Sequence, residues 1–558
     1  MRGTKMTKTI SIARLLMASA LALFLTAAAQ AAVPGITGPT FNLTAQPAFL
    51  NQPDGNSVYT WGYGCNGAPS GTAPAKIAVT CPSMQVPGPT LIVTEGQTVT
   101  VNLLNGLPAA AGNTSILFPG FNVTAAATAT QPTTCTAATA APTGLLTTEA
   151  ANGCSVTYTF TASSPGTHAY YSGTQGDLQV EMGMYGAIVV LPSSVPAACT
   201  AGLPVTNPGN NAAAKAFWKE DDYRLAAAAY DNPKTCYDRE YLFQWAEMDP
   251  KIHNAALAQV TFLSTCSAGT PGCGDPLVVP TEPYHPAYFL INGRSMPDLM
   301  DASFAPEYPN QPYNGNPHMH PGEMTLIRSI GQGRWQHPFH EHANHVRILA
   351  RDGNLILAPN GSDLAGPLMF NTDTTPGEAF DGIFYFTGRG LNWDPYGHHP
   401  GDTSDPLASL TCTPDANGYN TSAPTAVNYF EWCQDHNKPL EVSPTGDVAP
   451  GGPATLPNPN IFTNGAWYGG TPYLGPDATL RGGGTQACAS GSTASNQASP
   501  CTTLQPSNIQ ANPASERGWA YMWHSHNERE ITTNNVFPGG MLMMMLVDSR
   551  EFVIDESK

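Results

Sequence analysis

The chain has 558 residues, 23 basic and 41 acidic, for a formal net charge of −18. That balance argues against nucleic acid and anionic membrane surfaces as partners, since both would repel it. Its 54 glycines and 52 prolines, with only 11% charged residues, describe many turns and short strands rather than long helices.

Residues 1–31 read as a secretory signal: Arg2, Lys5, Lys8 and Arg14 give a positive start, "LLMASALALFLTAAA" an apolar core, and Ala29–Ala31 a small-residue cleavage site. The expectation is an exported protein, secreted to a periplasm or beyond the cell, with a mature charge of about −22 once those four cations are removed. No later apolar run approaches the roughly 20 residues needed to cross a bilayer, so no transmembrane segment is expected. Twelve cysteines fall into successive close pairs, which predicts up to six local disulfides in an oxidising compartment.

From residue 33 to about 195, "TLIVTEGQTVTVNLLN", "SVTYTFTA" and "YGAIVVLP" supply regular strand signals, predicting one sandwich of two packed sheets. Residues 196–235 read as a connector, with a short helix expected in "AAAKAFWKEDDYRLAAAAYD". A second β domain spans 236–558, through "REYLFQWAEMD", "AYFLINGRSMPD", "GEMTLIRSI" and "HPFHEHANHVRILARDGN". Within it, residues from about 393 to 515, rich in Gly, Pro, Asn, Thr and Ser, read as a long insertion before strands return with "GWAYMWHSH" and "GGMLMMMLVD". The fold class expected is all-β.

Histidines carry the functional signal. His337, His340, His342 and His345 fall within nine residues, and His524 and His526 flank Ser525 near the end of the chain. In extended segments, alternation puts His340 with His342 on one face and His524 with His526 on another, while His337, beyond Pro338, is free to point elsewhere. Were the two segments neighbours, four imidazoles would converge into a site suited to copper, zinc or another borderline metal. Glu341, His345, Glu528 and Glu530 are close enough in sequence to extend the shell with imidazole and carboxylate, a mixture that suits zinc, manganese or iron as well as copper, although the glutamates read first as solvated charges at a strand end. "NPHMHPGEM" (His318, His320) and "YGHHP" (His398, His399) read as solvated loop histidines or surface copper-sequestering patches. Asp298 is an acid that nothing in the sequence places at the site.

"HPFHEH", "WHSH" followed by "GGM", "VPGPTLIVTEGQTVTVNLLN" and "FLINGR" together resemble the multicopper oxidases, which are built from cupredoxin sandwiches. The resemblance implies two cupredoxin-like Greek-key domains. It assigns His337 to a type 1 copper and His340, His342, His524 and His526 to a copper cluster. It also marks departures. Ser525 stands where the type 1 cysteine is expected, Glu530 lies near the place of the second type 1 histidine, and only Met541 remains as a distant axial candidate. In the first domain Leu117, Pro119, Tyr171 and Gly173 occupy the four ligand positions, and His168 lies at another offset. A blue centre needs a thiolate, so none is expected.

Two readings follow. One is a secreted copper-binding protein, with oxidoreductase activity at a non-blue histidine site, acting on a small molecule or metal ion and open to homo-oligomeric assembly; laccase-type oxidation is not expected. The other is a non-catalytic cupredoxin scaffold or metal-sequestering extracellular protein.

Overall fold

The computed structural model describes residues 33–128, 135, 143–200 (145 excepted), 221–386, 410–436 (423–425 and 427 excepted), 470–473, 518–548, 554 and 556. The signal segment, most of the expected insertion, His398, His399, Cys488 and Cys501 lie outside the described residues.

The described chain is mostly β and forms four sheets, paired into two sandwiches. Strand Thr98–Asn105 shows why the sequence pattern is legible: Val99, Val101 and Leu103 are buried while Thr98, Thr100 and Asn102 turn outward. The preceding strand, Leu91–Thr94, belongs to the opposite sheet. Gly96, at φ +82°, makes the turn that carries the chain between the two. Leu91–Thr94 lies between Gly35–Thr37 and Tyr185–Leu191, whereas Thr98–Asn105 lies between Thr40–Asn51 and Ser155–Thr161. Val101, Tyr158, Phe160, Trp61 and Ile188 fill the space between these sheets.

In the second sandwich, one sheet centres on Met324–Gly331, parallel to Arg239–Met248 and antiparallel to Ala379–Tyr385. The other sets His337–Glu341 between Asn371–Thr374 and Gly518–Ser525, and the latter pairs with Leu542–Asp548. Aromatic rings join the two sheets, with Trp245–Phe339 centroids 4.6 Å and Phe384–Trp523 centroids 4.9 Å apart.

Arg239–Met248 is buried at every position. One face enters the second core. The other meets the first sandwich, where Leu242, Ile330 and Ala379 pack on Ala169, Ala187 and Val189. A buried ionic lock crosses the same boundary: Arg328 Nε donates to Glu240 Oε2 at 2.9 Å, Arg328 Nη1 lies 3.5 Å from Asp381 Oδ1, and Thr167 Oγ1 donates to Asp381 Oδ1 at 2.6 Å.

Helix Pro250–Thr265 was not expected. Asp249 caps it through Oδ1, which accepts from Lys251 N at 2.9 Å, with Pro250 in its first turn. Ile252, Ala256 and Val260 close the open side of the first core. The helix expected near residues 212–231 is not formed in the described part, 221–231. There Ala228 bridges to Cys236 and Arg224 Nη1 donates to Tyr237 O at 2.5 Å, contacts that hold the segment against its neighbour. Disulfides join Cys65–Cys81, Cys135–Cys154, Cys199–Cys236, Cys266–Cys273 and Cys412–Cys433, each cysteine with its neighbour in sequence, as the spacing predicts.

Candidate metal centre

Two antiparallel segments build the centre. His340 stands opposite His524 and Phe339 opposite Ser525 in the register of the two strands. Alternation therefore sends Phe339 and Ser525 into the core and His340 and His524 to the other face. The pairing runs on past the strand ends, where His342 N donates to Met522 O at 3.2 Å and His526 N to Pro338 O at 2.8 Å. Ring centroids of His340 lie 4.8, 5.5 and 5.0 Å from those of His342, His524 and His526. One nitrogen from each of His340, His342 and His524 falls within 4.8 Å of the others. His526 completes the group from its exposed side.

Backbone carbonyls set the tautomers. His340 Nδ1 lies 2.5 Å from Phe370 O and His524 Nδ1 lies 2.7 Å from Ser525 O. A carbonyl only accepts, so both Nδ1 atoms carry hydrogen and both Nε2 atoms keep a lone pair when the rings are neutral. Burial, reinforced by the neighbouring imidazoles, pushes His340 down to about 4 and His342 to about 3, and burial lowers His524 as well. At neutral pH these rings need lose no proton before binding a metal. His342 Nε2 and His524 Nε2 are 3.2 Å apart. Two nitrogens held at about 2.0–2.1 Å from one tetrahedral ion would be separated by about 3.3 Å. The donor set fits a single borderline metal ion.

His337 stands apart from this group. It is fully buried on the core side, with Nδ1 2.8 Å from Glu530 Oε2 and Nε2 2.9 Å from Glu247 Oε2. Although burial opposes charge, the two carboxylates raise its pKa to about 9, so it is an imidazolium. Ser525 Oγ donates to the same Glu530 oxygen at 2.5 Å, and Ser525 N donates to Met541 O at 3.0 Å. His337, Ser525, Glu530 and Met541 are thus brought together, with an ionic network holding both nitrogens of the ring.

Glu341 and Glu530, close to the histidines in sequence, turn their carboxylates away from the cluster. The strand ends at Ser525, and residues Glu528–Ile531 form a 3-10 turn that buries Glu530 beneath it, ending the parity on which a mixed shell depended. Glu341 faces the core, where Thr372 Oγ1 donates to its Oε1 at 3.3 Å. His345 packs edge-on against Phe370 at 5.2 Å. Asp298 lies beside Tyr308 and Arg294 on a separate turn. His318 and His320 are buried rather than solvated, the first with its carbonyl accepting from Tyr241 OH at 2.6 Å, the second with its N–H donating to Glu323 Oε2 at 2.8 Å. Glu247 is the residue that sequence reading missed: its strand position carries no local signal of a partner 90 residues away.

In the first sandwich, Leu117 and Tyr171 face each other across a bridge, and a Cβ placed on Gly173 would come within 2.8 Å of Leu117. Pro119 completes the four residues that the resemblance sets at ligand positions. His168 is buried 4.6 Å from the Phe121 ring.

Residues 72–195 match the family model described as "Multicopper oxidase". No curated protein matches the sequence. Among solved structures, the multicopper oxidase mgLAC and the blue copper oxidase of Nitrosomonas europaea each align over 91% of this chain and 85% of their own, at 14% identity and TM-score 0.41. The copper nitrite reductase of Nitrosomonas europaea aligns over 63% of this chain and 85% of its own, at 18% identity and TM-score 0.35.

Proposed function

We propose that the protein, whose residues 72–195 match the multicopper oxidase family model, is an exported copper-binding protein holding one ion on His340, His342, His524 and His526, without a blue centre. The observation that carries this is the pair of Nδ1–carbonyl hydrogen bonds, which leave the Nε2 lone pairs of His340 and His524 unprotonated within a cluster of neutral rings. Copper bound there would supply one-electron redox chemistry from a nitrogen-ligated site.

The remaining work falls to the chain. Phe370 O and Ser525 O fix the ring orientations; His342 lies close enough to share a hydrogen bond with His524 when no metal intervenes. Exposed His526 leaves one side of the site accessible to solvent and small solutes. His337 belongs to the same reading in another role. Clamped as a cation by Glu247 and Glu530, it offers no lone pair, so the place where a type 1 ion would sit is taken up by internal charge pairing. We further propose that the chain divides into sandwiches at 33–195 and 236–558, and that its substrate is a small molecule or metal ion.

The test is spectroscopic. Copper-loaded protein should give the electron paramagnetic resonance signal of one nitrogen-ligated cupric ion and no intense blue absorption. A strong thiolate-to-copper band would refute the assignment of Ser525. Protein that takes up no copper would instead favour a non-catalytic scaffold.

A further inference from the structure

A cavity of about 450 Å³ opens on the outer face of the second sandwich, within the size range of small-ligand sites. Its floor is the face that Val346–Arg351 and Ala379–Tyr385 turn away from the core, with Leu349 and Ile383 in the middle. Leu364 and Leu368 form an apolar wall. Two cations, Lys234 and Arg347, line the cavity with the neutral polar residues Asn344, His345 and Tyr385, and no carboxylate stands among the described lining residues. In a chain with 41 acidic residues against 23 basic ones, that local reversal is a selective feature.

The two cations are held differently. Lys234 is ion-paired with Asp363 at the exposed rim. Arg347 commits Nη1 to Gly366 O at 2.7 Å, and no described carboxylate pairs with it. A half-buried guanidinium over an apolar floor, with further N–H donors to spare, matches the forked geometry of a carboxylate. His345 stands edge-on to Phe370 at 5.2 Å, and Phe370 stands 5.9 Å from His340. The cavity therefore adjoins the histidine cluster through one aromatic ring while sharing none of its four imidazoles.

We propose that this cavity binds a small organic carboxylate with a compact apolar body, its carboxylate on Arg347, beside the Lys234–Asp363 pair at the rim, and its body against Leu349, Leu364 and Ile383. The site is independent of whether the cluster holds metal.

The probes are 3-phenylpropionate and its primary amide, which share shape and differ in charge. Calorimetric titration of the purified protein should give a dissociation constant at least about tenfold lower for the acid, since only the acid meets the guanidinium with charge-assisted hydrogen bonds. Arg347→Met should remove that preference and leave amide binding within about twofold. Lys234→Gln, a rim change that leaves the Gly366 contact intact, should weaken the acid by a smaller factor and serves as the check if Arg347→Met does not fold. Leu349→Trp should abolish both ligands by filling the floor. Equal affinity for acid and amide, absence of acid binding at millimolar concentration, or an acid preference surviving both charge variants would overturn the proposal.

Discussion

Ser525 and His337 lie on the core side of two strands whose outer faces carry His524 and His340, so one alternation separates two kinds of chemistry. The outer rings are neutral and available; the inner ring is charged and clamped. The clamp has a pH consequence with a definite sign. His337 is raised from 6.5 to about 9 by Glu247 and Glu530. Its contribution to stability is therefore complete below 6.5, where folded and unfolded chains both carry the proton, and is lost as pH rises through about 9. Denaturant unfolding across that window should show the unfolding constant rising by up to about tenfold per pH unit, and His337→Gln should flatten the rise. An unchanged slope in the variant would contradict the clamp. The HxH pairs were legible because two residues of separation fix a shared face. The separation of His337 from them was legible only in part: the break at Pro338 frees it to point elsewhere, but Glu247 approaches from a strand 90 positions away.

At the scale of elements, alternation made the strands readable wherever one face is wet, as in Thr98–Asn105. It failed at Pro250–Thr265, which packs on an already buried sheet and has only a shallow apolar stripe of Ile252, Ala256 and Val260. Its clearest signal is the start, Asp249 followed by Pro250. Asp249 caps Lys251 N with Oδ1 and accepts from His285 N with Oδ2 at 2.8 Å. Asp249→Ala should therefore lower unfolding free energy by about 1–2 kcal/mol, the scale of a lost cap plus a second buried acceptor. A change below about 0.3 kcal/mol in denaturant titration would contradict the capping role. The five described disulfides were readable because close cysteines in successive pairs are the least demanding to join.

For the whole molecule, the boundary between the sandwiches decides how stable the cluster's platform is. Arg328 is 1% exposed and holds Glu240 and Asp381, the latter also bound by Thr167 and by Tyr230 OH at 2.6 Å. Arg328→Ala leaves two buried carboxylates without their cation and should cost about 3–5 kcal/mol, visible as a lower denaturation midpoint. Arg328→Met, which removes the charge and keeps most of the volume, should cost less than Arg328→Ala, which removes both; equal loss in the two would assign the effect to charge alone. Sequence patterning gave no sign of this lock, because its members come from four strands and a loop that meet only in the fold.

The most direct measurement is copper content after loading and exhaustive dialysis, comparing the wild type with the His340→Ala, His524→Ala double variant and confirming the fold of each by circular dichroism. A one-ion site on the imidazole cluster predicts about one equivalent per chain in the wild type, and none in the folded double variant. An equivalent retained by the double variant, or a wild type that keeps no copper, would contradict it.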